Sequence, residues 1–136
     1  MFKKNPGDLN VLCGIMNTIR DFSDREYQKR VWIDTDGVDW YLEAFVSLLD
    51  DYRLEDFASM PVGTYGLGAT ELQSLKIFLS TLLRFDELYN AELPDDVIVS
   101  APEWNGVVSA AAEVIKVSRS WIEEHCDASG MGAIDG

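Results

Sequence analysis

An all-α fold, a compact bundle-like domain of four to five helices, is predicted by three observations. Apolar residues recur at spacings of three and four along most of the chain. Three of these runs follow Ser/Thr-x-x-Glu/Gln spacings typical of helix starts. Strand-like patterning is nearly absent, and only a minor β element is expected near 60–67. A chain of 136 residues, 47% hydrophobic and 11% aromatic, can bury a core without metal or disulfide staples. One domain is expected over 1–126, followed by a Gly-rich tail, 127–136, expected to be disordered.

Asn5-Pro6 reads as a helix start, with Leu9, Leu12, Ile15, Met16 and Ile19 at helical spacing behind it. Ser23-Asp24-Arg25-Glu26 has capping-box spacing and opens a short helix, roughly 24–32, carrying Tyr27, Val31 and Trp32. Asp34-Thr35-Asp36-Gly37 is a turn. A helix over about 37–51 follows, with Trp40 or Tyr41, Ala44, Phe45, Leu48 and Leu49 on one face. From Tyr52 to Gly68 the pattern is least regular, broken by Pro61, Gly63, Gly66 and Gly68. Thr70-Glu71-Leu72-Gln73 opens the clearest helix, about 70–89, whose stripe is Leu72, Leu75, Leu79 and Leu82, widened by Phe78, Leu83 and Phe85. Pro94 ends that region. Ser100-Ala101-Pro102-Glu103 starts a last helix to about Glu124, with Trp104, Val107, Val108, Ala111, Ile115 and Ile122 inward.

The net charge of −13 comes from 24 acids and 11 bases, unevenly placed. Residues 1–33 hold six bases against four acids; the remainder holds twenty acids and five bases. Eight acids in 34–56 face Arg53 alone, and six acids in 86–103 face no base. Such a field opposes nucleic acid and anionic membranes, because phosphate contacts need Lys and Arg, and it favours a basic protein partner. No apolar run is long enough to span a membrane. The start MFKKNPGDLN carries two lysines with no apolar run behind them, so no secretion signal is expected. Cys13 and Cys126, far apart in sequence, read as separate reduced thiols, which makes the cytoplasm the expected compartment.

Catalytic signatures are weak. His125, the single histidine, sits at the end of the last helix and reads as a C-terminal cap. Asp34-x-Asp36-Gly37 begins like a calcium loop, but the glycine comes too early for that register. Gly63-x-x-Gly66-x-Gly68 lacks the lysine and preceding strand of a phosphate loop. No metal, cofactor or catalytic residue is therefore expected. The expected partner-binding residues are Asp36, Asp39, Glu43, Asp50, Asp51, Asp95 and Asp96, with Trp40 as an aromatic anchor.

The block Asp24-Arg25-Glu26-Tyr27-Gln28-Lys29-Arg30-Val31-Trp32 resembles the D-x-x-Y-Q-x-R-x-W motif of a family of small acidic bacterial proteins, many of them actinobacterial. The likeness continues through Leu49-Asp50-Asp51, Val62-Gly63, Glu71, Asp95-Asp96, Pro102-Glu103-Trp104 and Val107-Val108, covering roughly 20–116. It carries over no catalytic residue. In type, such proteins resemble the immunity proteins of bacterial toxin systems, which block a cognate and often basic toxin. The resemblance implies an immunity-type inhibitor. The alternatives are a general interaction module whose acidity serves only solubility, and a carboxylate-based enzyme.

Overall fold

A computed structural model describes residues 7–34, 39–89 and 93–126. Among them the fold is all-α, with helices α1 (Asp8–Ser23), α2 (Arg25–Tyr27), α3 (Trp40–Val46), α4 (Leu54–Ala58), α5 (Ala69–Tyr89), α6 (Asp95–Ser100), α7 (Trp104–Val117) and α8 (Arg119–His125). Two wide π-helical segments extend α2 and α3: Gln28–Ile33 and Ser47–Asp51. The eight α-helices exceed the four to five expected, because short helices fill the irregular stretches and a break divides the last one. Between 60 and 67 there is no strand. Thr64–Gly66 is a 3-10 turn, held by the Thr64 hydroxyl on the Pro61 carbonyl and by Gly63 and Gly66 at positive φ. Pro61 removes a donor and the two glycines favour a tight reversal over extended pairing. The expected helix start at Asn5-Pro6 and the tail 127–136 lie outside the described residues.

Helix α7 sits at the centre, packed extensively against both α1 and α5. The helical stripes of these three elements supply most of the core: Leu12, Ile15, Met16, Ile19 and Phe22 from α1, Leu72, Leu75, Phe78, Leu82 and Phe85 from α5, and Trp104, Val107, Ala111 and Val114 from α7. Trp104 touches several aromatic neighbours. Its ring centre lies 5.8 Å from Phe22, 5.9 Å from Trp32, 5.7 Å from Tyr41 and 5.1 Å from Phe85. Tilted and edge-on geometries of this kind add to the apolar burial of the rings.

Gln28 fastens this cluster. Its side chain is buried, its Nε2 donates to the Asp21 and Phe22 carbonyls, and its Oε1 accepts from the Trp104 indole N–H at 3.0 Å. The Phe22 carbonyl at the end of α1 is thereby satisfied, and the Asp21 carbonyl gains a second donor beside the Asp24 N–H at 3.4 Å. The family-like block is thus chiefly a folding element. Asp24 caps α2 by accepting from the Tyr27 N–H at 3.0 Å, and Trp32 packs on Phe22 and Trp104.

The capping boxes read from sequence shift by one or more residues. Ser23 closes α1, its hydroxyl donating to the Arg20 carbonyl, and Asp24 is the cap of α2. Helix α5 starts at Ala69, with the Leu72 N–H on the Gly68 carbonyl. Helix α7 starts at Trp104 with no side-chain cap, after backbone turns that pair Trp104 with Ala101 and Asn105 with Pro102. The last helix is broken at Ser118, whose buried hydroxyl has no hydrogen-bond partner among the described residues.

The cysteines depart most from expectation. They are not separate thiols: Cys13, in the middle of α1, is bonded to Cys126, just past α8, with Cα atoms 5.7 Å apart. The sequence separation of 113 carries no information about that distance; the return of the chain along α7 and α8 brings the two together. Among the described residues no helix is long and apolar enough to cross a membrane.

Closing a loop this long restricts the unfolded chain strongly. Reduction, or a Cys13→Ala/Cys126→Ala double substitution, should lower unfolding free energy by about 2–5 kcal/mol, read from urea melts with and without reductant. Gln28→Ala should lower it by about 2–4 kcal/mol, because the Phe22 carbonyl and the Trp104 indole N–H lose their partner in a buried place. An unchanged urea midpoint for Gln28→Ala would remove the glutamine from its fastening role.

Candidate interaction surface

The start of α3 and the start of α6 meet at one acidic corner. Asp39 occupies the cap position of α3 but makes no side-chain cap bond. The first N–H groups of that helix are satisfied from across the fold: Asp95 accepts from the Trp40 N–H at 2.9 Å and from the Tyr41 N–H at 3.2 Å. A carboxylate there compensates both the orphan donors and the positive end of the helix dipole. Tyr41 also donates its buried hydroxyl to Asp86 at 3.1 Å, so two carboxylates of the second acidic stretch, 86–103, hold a helix that belongs to the first.

Burial is the first cause that pushes the Asp95 carboxyl above the ordinary carboxylate range; the two backbone N–H bonds oppose it, and the neighbouring Asp39 and Asp96 charges raise it further. Burial and the Asp86 carboxylate push the Tyr41 phenol well above its usual range. A second raised carboxyl, Asp21, stands at the end of α1. Burial lifts it from 3.8 to about 6, Asp24 adds to the rise, and Arg20 and the Tyr27 hydroxyl oppose it.

The expected site residues divide accordingly. Asp39, Asp95 and Asp96 come together, with Asp39 and Asp96 exposed and Asp95 half-buried in its capping role. Trp40 is half-buried, and its enclosed indole N–H has no acceptor among the described residues. Glu43 is exposed on α3. Asp50 and Asp51 are exposed at the far end of the π extension, roughly 15 Å along the helix axis from Asp39. Asp36 lies outside the described residues. His125 is stacked on Trp121, ring centres 4.7 Å apart, and its Nδ1 donates to the Trp121 carbonyl at 2.9 Å. That arrangement matches the capping role read for it from sequence. Among the described residues no group of three or more His, Cys, Asp or Glu side chains is placed to hold a metal ion.

Arg25 and Lys29 were read from sequence only as members of the family-like block. They line a surface cavity between the α2 extension and α6. The basic excess of residues 1–33 was the one signal that pointed there.

The fold and this corner define an all-α acidic domain whose helix ends are tied by long-range carboxylates. The chain belongs to the family described as "Domain of unknown function (DUF7945)", which it matches over residues 10–124. No curated protein and no solved structure matches it.

The two raised carboxyls give a pH signature. A folded-state pKa above the unfolded value means that ionisation costs stability. Each contribution is fully present below the unfolded pKa and is lost as pH rises through the folded one. Stability should therefore fall between about pH 4 and pH 6 through Asp21, and Asp21→Asn should flatten that slope in urea melts at stepped pH. Asp95→Asn should remove a smaller share of the slope. Asp95→Ala should lower stability by about 0.5–2 kcal/mol through the lost cap.

Proposed function

We propose that this protein is an immunity-type inhibitor that binds a basic toxin domain through the acidic corner of α3 and α6. The observation that carries this reading is the convergence of Asp39 with Asp95 and Asp96, which are more than fifty residues apart in sequence. Two exposed carboxylates beside a half-buried one form a local field that draws in lysine and arginine side chains and speeds encounter with them. Trp40, half-buried, supplies apolar area at the same place. Occlusion is the mechanism: the carboxylates pair with the cations a nuclease uses to hold phosphates, so substrate cannot enter.

The expected cytoplasmic setting rested on free thiols. A Cys13–Cys126 bond instead supports residence in an oxidising compartment, where disulfides persist. The second reading, a general interaction module with a different partner, keeps the fold and gives the acidic corner no special part.

The test uses the polypeptide encoded beside this chain's gene, purified and presented on a biosensor. Asp39→Lys combined with Asp96→Lys should slow association at least about tenfold at low salt, with little change in dissociation. Added salt should erase most of the difference between native and variant. An association rate that responds to neither the substitutions nor salt excludes this corner as the interface. If no complex forms, the immunity reading fails.

A further inference from the structure

A second surface, of mixed charge, lies at the other end of α6. The π extension of α2 and the end of α6 border an open cavity of about 390 Å³, within the range of small-molecule sites. Arg25 and Lys29 line it together with Glu26 and Asp34, and Ile33 and Val99 give it apolar wall. Ile33 is partly exposed there.

Arg25 is held in place without being neutralised. Its guanidinium donates to the Asn105 side-chain oxygen and, at 3.4 Å, to the Val99 carbonyl, both uncharged acceptors. No carboxylate makes ion-pair contact with Arg25 or Lys29 among the described residues, although acids outnumber bases by 24 to 11 in the chain. An arginine oriented by neutral groups keeps its full charge and has already lost much of the side-chain freedom that binding would remove. Three of its five N–H donors remain for a ligand.

Glu26 and Asp34 in the same lining decide what kind of anion fits. A phosphate dianion would meet both carboxylates at close range. A zwitterion satisfies both signs: its carboxylate pairs with Arg25 and Lys29, its ammonium with Asp34 or Glu26, and an aliphatic side chain lies on Ile33 and Val99. We propose that this cavity is a binding site for a free aliphatic α-amino acid. The proposal is independent of the acidic corner and of the inhibitor reading.

Calorimetry on the full-length, oxidised protein tests it with four probes: L-leucine, 4-methylpentanoate, which lacks the ammonium, 3-methylbutylamine, which lacks the carboxylate, and inorganic phosphate. Leucine should bind saturably, 4-methylpentanoate more weakly, and the amine and phosphate not at all. Arg25→Gln and, separately, Lys29→Gln should each weaken leucine at least about tenfold. Asp34→Asn combined with Glu26→Gln should weaken leucine while leaving 4-methylpentanoate unchanged. The Lys29 side chain makes no hydrogen bond or ion pair among the described residues, so its variant reports on the site even if Arg25→Gln disturbs folding. No leucine binding up to roughly 10 mM overturns the proposal. So does leucine binding that neither cation variant alters, or phosphate binding as tight as leucine.

Discussion

The Gln28 amide is the contact on which the rest of the architecture depends. It takes two carbonyls at the end of α1 and the indole N–H of α7, three polar groups in an otherwise apolar core, and satisfies all of them with one side chain. Without it, the Phe22 carbonyl and the Trp104 indole N–H would be left unpaired in the core, and the aromatic cluster would have to admit water or move apart. Because Trp104 is in ring contact with Phe22, Trp32, Tyr41 and Phe85, the position of this one indole sets how α1, the α2 extension, α3 and α5 meet.

Acidic side chains serve the fold as well as the surface. Asp95 ends α3 from across the chain, Asp86 holds the Tyr41 hydroxyl, and Asp8, buried at the start of α1, accepts from the Tyr65 hydroxyl at 2.7 Å. That last bond helps to hold Tyr65 at φ 55°, a left-handed conformation uncommon for an aromatic residue, while the Trp121 indole takes the Tyr65 carbonyl. The net charge therefore overstates the acid available to a partner. What remains exposed at the α3–α6 corner is Asp39 and Asp96, a small patch beside the two long acidic stretches of sequence.

Helix α6 borders two surfaces of different charge, one acidic and one of mixed sign. Helix α6 presents Asp95 and Asp96 at its start and Val99 and Ser100 in the wall of the cavity at its end. The far end of the molecule is tied differently. Helix α8 follows the break at Ser118, and its attachments are the Trp121–Tyr65 hydrogen bond, the burial of Trp121 and Ile122, and the disulfide to α1. A seven-residue helix has little stability of its own, so the covalent bond to α1 is what makes this terminal turn a fixed part of the domain.

The sequence by itself determined the helical class and most of the core. The periodicity that marked Leu72, Leu75, Phe78, Leu82 and Phe85, and likewise Trp104, Val107 and Ala111, comes from 3.6 residues per turn, a property of each segment alone. It also located the acids that matter at the corner, Asp39, Asp95 and Asp96, as charge without counter-charge. Helix ends were less legible: Ser23 turns its hydroxyl back to the Arg20 carbonyl, and α5 and α7 begin on backbone turns at Gly68 and at Ala101-Pro102, a choice that only the folded turn makes. Only the tertiary structure decided that Asp95 caps a helix fifty-five residues away, that Gln28 meets Trp104, that Cys13 meets Cys126, and that Arg25 turns to Asn105 and not to a carboxylate. Each of these is a distance between remote segments. Spacing along the chain does not encode such distances; they are set by how the apolar stripes of α1, α5 and α7 pack.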